Sequence, residues 1–304
     1  MTGPADGRED DERCRVAARA LRARMVRRIV AGGGLTDPAW RAAFAEVPRH
    51  LFVLGYPPDD ETPQWAGGDL RGRLRGLSGA YADRPIATHV IGGELVSSSS
   101  QPSLMALMCE ALRVADGHRV LEIGAGTGYN AALLAHRLGP GAVTTVDLDA
   151  EITDAARAHL AAYGTPAARS VAVVTGDGAL GVPDRAPYDR IMATCELPLI
   201  PAAWLEQCRP GALLLAPFAT GLVLLTVHGP GHAEGRFLHT PAFFVPLRGA
   251  AGGGAHGGIG EELFGRGRHP DRSRFGMTVA DGRQWVWLDD PDGPDVWDVT
   301  SAAR

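Results

Sequence analysis

Nothing in this chain restricts its fold as tightly as the ten residues Val120-Leu-Glu-Ile-Gly-Ala-Gly-Thr-Gly-Tyr129. A short apolar run runs straight into three alternating glycines, and a helical pattern over Thr127–Leu138 begins at once. That is a buried strand, a tight turn and a helix N-terminus. There the missing side chains let a ligand approach the backbone and let the turn adopt positive φ. Downstream the pattern repeats. Apolar runs at Val143–Val146, Val171–Val174, Arg190–Ala193, Leu213–Leu215 and Leu222–Val227 alternate with helical stretches near Ala150–Tyr163 and Ala202–Cys208. Strands alternating with helices predict an α/β, doubly wound parallel sheet covered on both faces.

The chemistry around the glycines narrows the ligand. A dinucleotide fingerprint places its third glycine where Tyr129 stands, and Glu122 would repel a pyrophosphate beside Gly124. A carboxylate there suits a ligand carrying an ammonium and a sulfonium, so Glu122, Gly124, Gly126 and Gly128 read as a methyltransferase form of the loop. Asp147, followed by Leu148, ends the second strand about 20 residues on, where ribose hydroxyls are gripped. Asp177, between Gly176 and Gly178 after the third strand, can accept from an adenine amino group. The ordinary alternatives stay open: Glu122 as a solvated strand-end acid, Asp147 and Asp177 as caps or turn formers.

Composition excludes several classes. The net charge of −5 and pI near 6.1 leave no footprint for nucleic acid. Every basic side chain among the 30 is arginine, which removes Schiff-base chemistry and a P-loop lysine. Cys14, Cys109, Cys195 and Cys208 form no paired motif, so no metal site is expected, and reduced thiols point to a cytoplasmic setting. The polar start, Met1–Arg13, fits neither a signal nor a transit peptide and reads as disordered. Ala212–Val227 is broken by Pro217 and Gly221, reads as two buried strands, and does not span a membrane.

Before the glycine loop, Val16–Val30 reads as an arginine-rich amphipathic helix, and Thr36-Asp37-Pro38 caps a second. Gly55–Gly79 reads as an irregular excursion, and Pro102–Leu112 returns to helical period. After Leu247, Gly249-Ala-Ala-Gly-Gly-Gly-Ala-His-Gly-Gly258 has the composition of a flexible linker. Beyond it, Phe275–Val279 and Gln284–Leu288 flank Asp281-Gly282 as a hairpin. That hairpin and the acidic run that follows carry Trp285, Trp287 and Trp297, which could anchor a partner or pack on the parent domain.

Several segments together carry a family likeness over about Arg24–Leu247: Val47-Pro-Arg-His-Leu-Phe-Val53, Tyr81-Ala-Asp-Arg-Pro-Ile86, Ser98-Ser-Ser-Gln-Pro102, the glycine loop, Thr175-Gly-Asp-Gly178, Ala186-Pro-Tyr-Asp-Arg-Ile191 and Phe244-Val-Pro-Leu247. On these the chain resembles the protein-L-isoaspartate O-methyltransferases. The resemblance implies a class I S-adenosylmethionine-dependent methyltransferase fold, a Rossmann-like doubly wound sheet with an N-terminal helical cap; a small C-terminal appendage is expected beyond it. The expected divisions are residues 1–118, 119–248 and 249–304. It implies S-adenosylmethionine as cofactor, S-adenosylhomocysteine as product, and Ser98, Ser99 and Ser100 at the substrate carboxylate. It also places Asp83, Gln101, Pro102, Val245 and Pro246 around the peptide.

Two departures stand out. The family's Thr-Ile-Ser is Ser98-Ser99-Ser100 here, and compact repair enzymes generally lack the appendage. Both resemble the branch serving ribosomal peptide natural products, in graspetide (ATP-grasp) or lanthipeptide clusters, where a precursor aspartate is methylated and its ester collapses to a succinimide. The housekeeping repair of isoaspartate is the alternative, a non-catalytic nucleoside-binding module a further one. The serine run could instead be a polar loop with Ser99 or Ser100 capping the next helix.

Overall fold

A computed structural model of the chain describes residues 4–53, 69–249, 263–264 and 270–302. The expected linker lies outside them apart from Gly249. So does the first part of the expected excursion.

The N-terminal cap begins earlier than its apolar pattern. Helix α1 spans Pro4–Ala31, so the start expected to be disordered is helical from Pro4 on. Its charges explain this: Glu9–Arg13 and Glu12–Arg15 pair one turn apart, and Asp11 reaches Arg73 at 2.7 Å. Arg73 sits on α4 (Leu70–Ala80), a helix inside the stretch expected to be irregular, capped by Asp69 accepting from Gly72 N. Helix α2 (Pro38–Glu46) starts at Asp37 as its cap predicts, and α3 (His50–Val53) follows it. Strands β1 (Ile86–Ile91) and β2 (Glu94–Ser99) form a separate antiparallel hairpin through Gly92-Gly93, absent from the expected elements. Helix α5 (Pro102–Ala111) leads into the sheet.

The large sheet is built from β3 (Val120–Ile123), β4 (Val143–Asp147), β5 (Ala172–Thr175), β6 (Tyr188–Ala193), β7 (Cys208–Phe218), β8 (Gly221–Gly229) and β9 (His232–Phe237). Helices α6 (Tyr129–Leu138), α7 (Ala150–Tyr163), α8 (Pro166–Arg169) and α9 (Ala202–Glu206) connect or cover them. Strands β10 (Phe275–Ala280), β11 (Arg283–Leu288) and β12 (Val296–Asp298) extend the same sheet, and α10 (Val299–Ala302) follows. The order is β12-β11-β10-β9-β8-β7-β6-β3-β4-β5, ten strands, parallel from β7 to β5 and antiparallel beyond β7. The expected hairpin exists, with Asp281 and Gly282 both at positive φ. It is a sheet extension rather than a separate appendage.

Alternation along β3 divides the core. Val120 packs with α1, α5 and α6 on one face, while Leu121 and Ile123 pack with α9 and the C-terminal strands on the other. Among the described residues, no helix is long and apolar enough to cross a membrane.

Candidate active site

Strand order reverses between β3 and β6, and in such sheets the crevice outside the strand ends there is where ligands bind. A cleft opens at that point, lined by Gly124, Gly126, Asp147, Leu148 and Gly178 of the expected set. Gly124 holds φ 97°, and a Cβ on it would lie 2.5 Å from Thr194 Oγ1. Only glycine fits there. The Thr194 hydroxyl donates to the Ile123 and Gly124 carbonyls, pinning the loop to the end of β6. Thr194 and Cys195 also line the cleft, and neither was expected. Their place directly after an apolar strand was the available signal.

Asp147 accepts from Gly126 N at 3.1 Å and Leu148 N at 2.9 Å, so its carboxylate braces the glycine loop from the neighbouring strand. Burial raises its pKa, which favours donors such as ribose hydroxyls on its remaining lone pairs. Arg248 was missed as well. It pairs with Asp149 at 2.6 Å and stands 3.9 Å from Asp147, closing one side of the cleft. Asp177 caps the turn Gly178–Leu180 by accepting from Ala179 N, as its ordinary alternative predicts. It lies beside Gly249, where a Cβ would fall 2.5 Å from its Oδ1.

Four expected cofactor residues, Asp177 among them, do not line the cleft. Glu122 does not line the cleft: strand alternation turns it toward α6, where it is fully buried and its Oε1 accepts from Asn130 Nδ2 at 2.7 Å. Thr145 lies close to it but falls short of hydrogen-bond geometry, leaving Glu122 Oε2 and Thr145 Oγ1 without partners among the described residues. Gly128 faces α7, with the Ala156 carbonyl 3.3 Å from where a Cβ would be, so it permits helix packing rather than ligand approach. Gly176 donates its N–H to the Asp147 carbonyl and is outside the cleft wall.

A second cavity, a groove of about 690 Å³, runs alongside. Asp83, Ser98, Ser100 and Gln101 line it, as expected of substrate residues. Ser98 also lines the cofactor cleft, so the two cavities meet at this residue. Ser99 does not join them. It points inward, 5% exposed, and its hydroxyl lies 3.4 Å from buried Arg49. Nor does the serine run cap α5: Gln101 holds the cap position without a side-chain bond. Pro102 is buried at the first turn of α5, outside both cavities. Val245 and Pro246, expected at the substrate, line the cofactor cleft instead, where residues 245–247 bond to both backbone groups of Glu196 in strand fashion.

These residues fit a sulfonium nucleoside. The Gly124–Gly126 cradle admits backbone approach, Asp147 offers buried acceptor sites, and no lysine or arginine of the glycine loop waits for phosphate.

A family model described as protein-L-isoaspartate(D-aspartate) O-methyltransferase (PCMT) matches residues 77–247. The protein-L-isoaspartate O-methyltransferase of Methanoregula boonei is 41% identical over 235 residues, which is 76% of this chain and 94% of that protein. Its counterpart in Methanopyrus kandleri is 37% identical over 250 residues, 80% of this chain and 96% of that one. Among solved structures, a protein-L-isoaspartate O-methyltransferase superposes with TM-score 0.62 at 24% identity over 89% of this chain and 88% of its own. A Plasmodium falciparum beta-aspartate methyltransferase (PCMT), solved with S-adenosyl-L-homocysteine, gives 0.55 at 15% identity over 76% and 98%. At these identities the two structures speak for the fold.

Proposed function

The chain belongs to the protein-L-isoaspartate O-methyltransferase family, and from that premise we propose that it methylates an isoaspartyl carboxylate within a peptide or protein. Its fold is that of the class I S-adenosylmethionine-dependent methyltransferases. The observation that carries the proposal is the meeting of a nucleoside-type cleft and a peptide-sized groove at Ser98.

S-adenosylmethionine, when bound, supplies an electrophilic methyl group on sulfur. Gly124, Gly126, Asp147 and Leu148 would hold it, with Gly178 as a small wall on the far side. The rest of the work is alignment. A carboxylate is already ionised at neutral pH, so the site requires no general base. Ser98 and Ser100 can orient the carboxylate at near-attack distance, where positioning alone removes much of the barrier. Hydroxyls are weak donors for this purpose, and weak donors avoid stabilising the ground state that must lose its charge. The methyl ester then activates the carbonyl toward the following backbone nitrogen. That nitrogen closes a succinimide ring and methanol leaves, without help from the enzyme.

The repair role is supported by the names of the relatives described above. The precursor-peptide role rests on the altered serine motif and the C-terminal strands alone, and we place it second. Purified protein is incubated with methyl-labelled cofactor and, in separate reactions, an isoaspartyl peptide, its aspartyl isomer and a candidate precursor peptide. Base-labile label on the isoaspartyl peptide is the expected result. Label on the precursor aspartate alone reverses the order of the two roles, and label on none of the three removes the proposal.

A further inference from the structure

One buried cation lies beneath the groove without touching either cavity. Arg49, in the turn between α2 and α3, is fully buried. Its Nη1 donates to the Ala80 carbonyl at 2.7 Å and the Ala82 carbonyl at 3.4 Å. Its Nη2 reaches the carbonyls of Arg84 at 3.4 Å, Ser99 at 3.4 Å and Ser100 at 3.2 Å, and the Ser99 hydroxyl at 3.4 Å. Among the described residues, every oxygen at these distances is neutral. Burial lowers the Arg49 pKa to about 10, which still leaves it charged at pH 7.

A buried charge without a carboxylate partner is costly, so its neutral partners must be numerous and fixed. They come from two segments flanking the β1–β2 hairpin, which the pairing of Ile86 with Ser99 already brings near each other. One is the turn 80–84, which carries Asp83; the other is the end of β2, which carries the serines. Both line the groove. Asp83 adds a tie from the turn to the residues just past β2, accepting from Ser103 N at 2.8 Å and Gln101 Nε2 at 3.3 Å. The Ser99 and Ser100 carbonyls, drawn toward the guanidinium, are also kept from turning their lone pairs on an anionic substrate.

We propose that Arg49 is a positioning residue for the substrate carboxylate, its guanidinium clamping the 80–84 turn to the serine segment so that Ser98, Ser100 and Asp83 share one rigid frame. This rests on the carboxyl-methyltransferase reading. The planar fork matters as much as the charge, because one guanidinium reaches carbonyls on both segments.

The test uses the full chain, an isoaspartyl peptide and S-adenosylhomocysteine. Arg49→Met is expected to raise the peptide KM about tenfold or more and to lower kcat less than about threefold. Calorimetric affinity for S-adenosylhomocysteine should stay within about twofold, since most of the cleft wall comes from the large sheet and its loops. Arg49→Lys should recover part of the lost KM. A folded Arg49→Met with wild-type KM overturns the assignment. So does a parallel loss of KM, kcat and S-adenosylhomocysteine affinity, which would mark a merely structural role. If neither variant folds, Ser99→Ala removes one acceptor more gently. A KM raised about threefold then supports the clamp, and an unchanged one overturns it. A wild-type enzyme inactive on the peptide removes the functional reading and the clamp together, whereas an active wild type beside an unperturbed Arg49→Met removes the clamp alone.

Discussion

Glu122 shows how one residue's setting differs from its pattern. The pattern places an acid two positions before a glycine loop, but the strand turns it away from the ligand side into a sealed space against α6. Burial pushes its pKa up to about 7 from a usual 4.5. A folded-state value above the unfolded one means that the protonated form favours the fold. The contribution is full below about pH 4.5 and is lost as pH rises through 7, on the order of 3 kcal/mol for such a shift. Glu122→Gln removes that titration. The variant's denaturant stability should lose less than wild type's between pH 5 and pH 8, and should exceed it at pH 8. Parallel stability profiles for the two proteins would contradict the buried-acid account.

At the scale of elements, β2 and the start of α5 are where sequence and geometry diverge most usefully. Within the run Ser97–Ser100, the last three serines look equivalent on paper. Strand alternation separates them, sending Ser99 inward to Arg49 while Ser98 and Ser100 line the groove. Ser98→Ala with Ser100→Ala should therefore lower kcat/KM on an isoaspartyl peptide by about tenfold or more, the loss expected for two hydrogen bonds to a charged acceptor. Affinity for S-adenosylhomocysteine should move by less than about threefold. Unchanged turnover in steady-state assays would take the serines out of the site. The β1–β2 hairpin that delivers them was legible after all, since Gly92-Gly93 between two β-rich runs is a hairpin signal.

On the scale of the whole molecule, the C-terminal strands are part of the sheet. Phe275, Met277, Val279 and Val286 are buried in the same core as β8 and β9. Gln284 both accepts from Ile200 N and donates to Ile200 O at 2.8 Å. Two of the three tryptophans serve this packing. Trp287 is buried, donating to Thr278 and stacked under Arg236, and Trp297 packs on Phe275. Truncation after Gly249 would bare the edge of β9 and forfeit the burial of four large apolar side chains, each worth roughly 1.5–3 kcal/mol. The expected result is a melting temperature lowered by about 10 °C or more, with peptide methylation and S-adenosylhomocysteine binding lost together. A truncated protein that melts like the full chain and keeps cofactor affinity would restore the tail to a purely partner-binding role.

Local pattern was enough for everything that depends on neighbours in the chain. The strand–glycine–helix unit at Val120–Leu138, the helix Ala150–Tyr163, the Asp37 cap and the Asp281-Gly282 turn all follow from periodicity and turn chemistry, which act over a few residues. Asp147 was legible too, because a parallel strand end and its distance from the glycines fix where it falls. What lay beyond the sequence depends on pairs brought together across the fold. Arg73 meets Asp11 only because α4 packs beside α1; the burial of Glu122 needs α6 above it; Arg248 becomes a wall of the cleft only because residues 245–248 return beside Asp147 and Asp149. Arg49 is the sharpest case. Sequence shows an arginine in a short motif, and only the tertiary structure shows that carbonyls from residues 80–84 and 99–100 converge on it, because a directional donor fork can be satisfied only by groups the fold has already assembled.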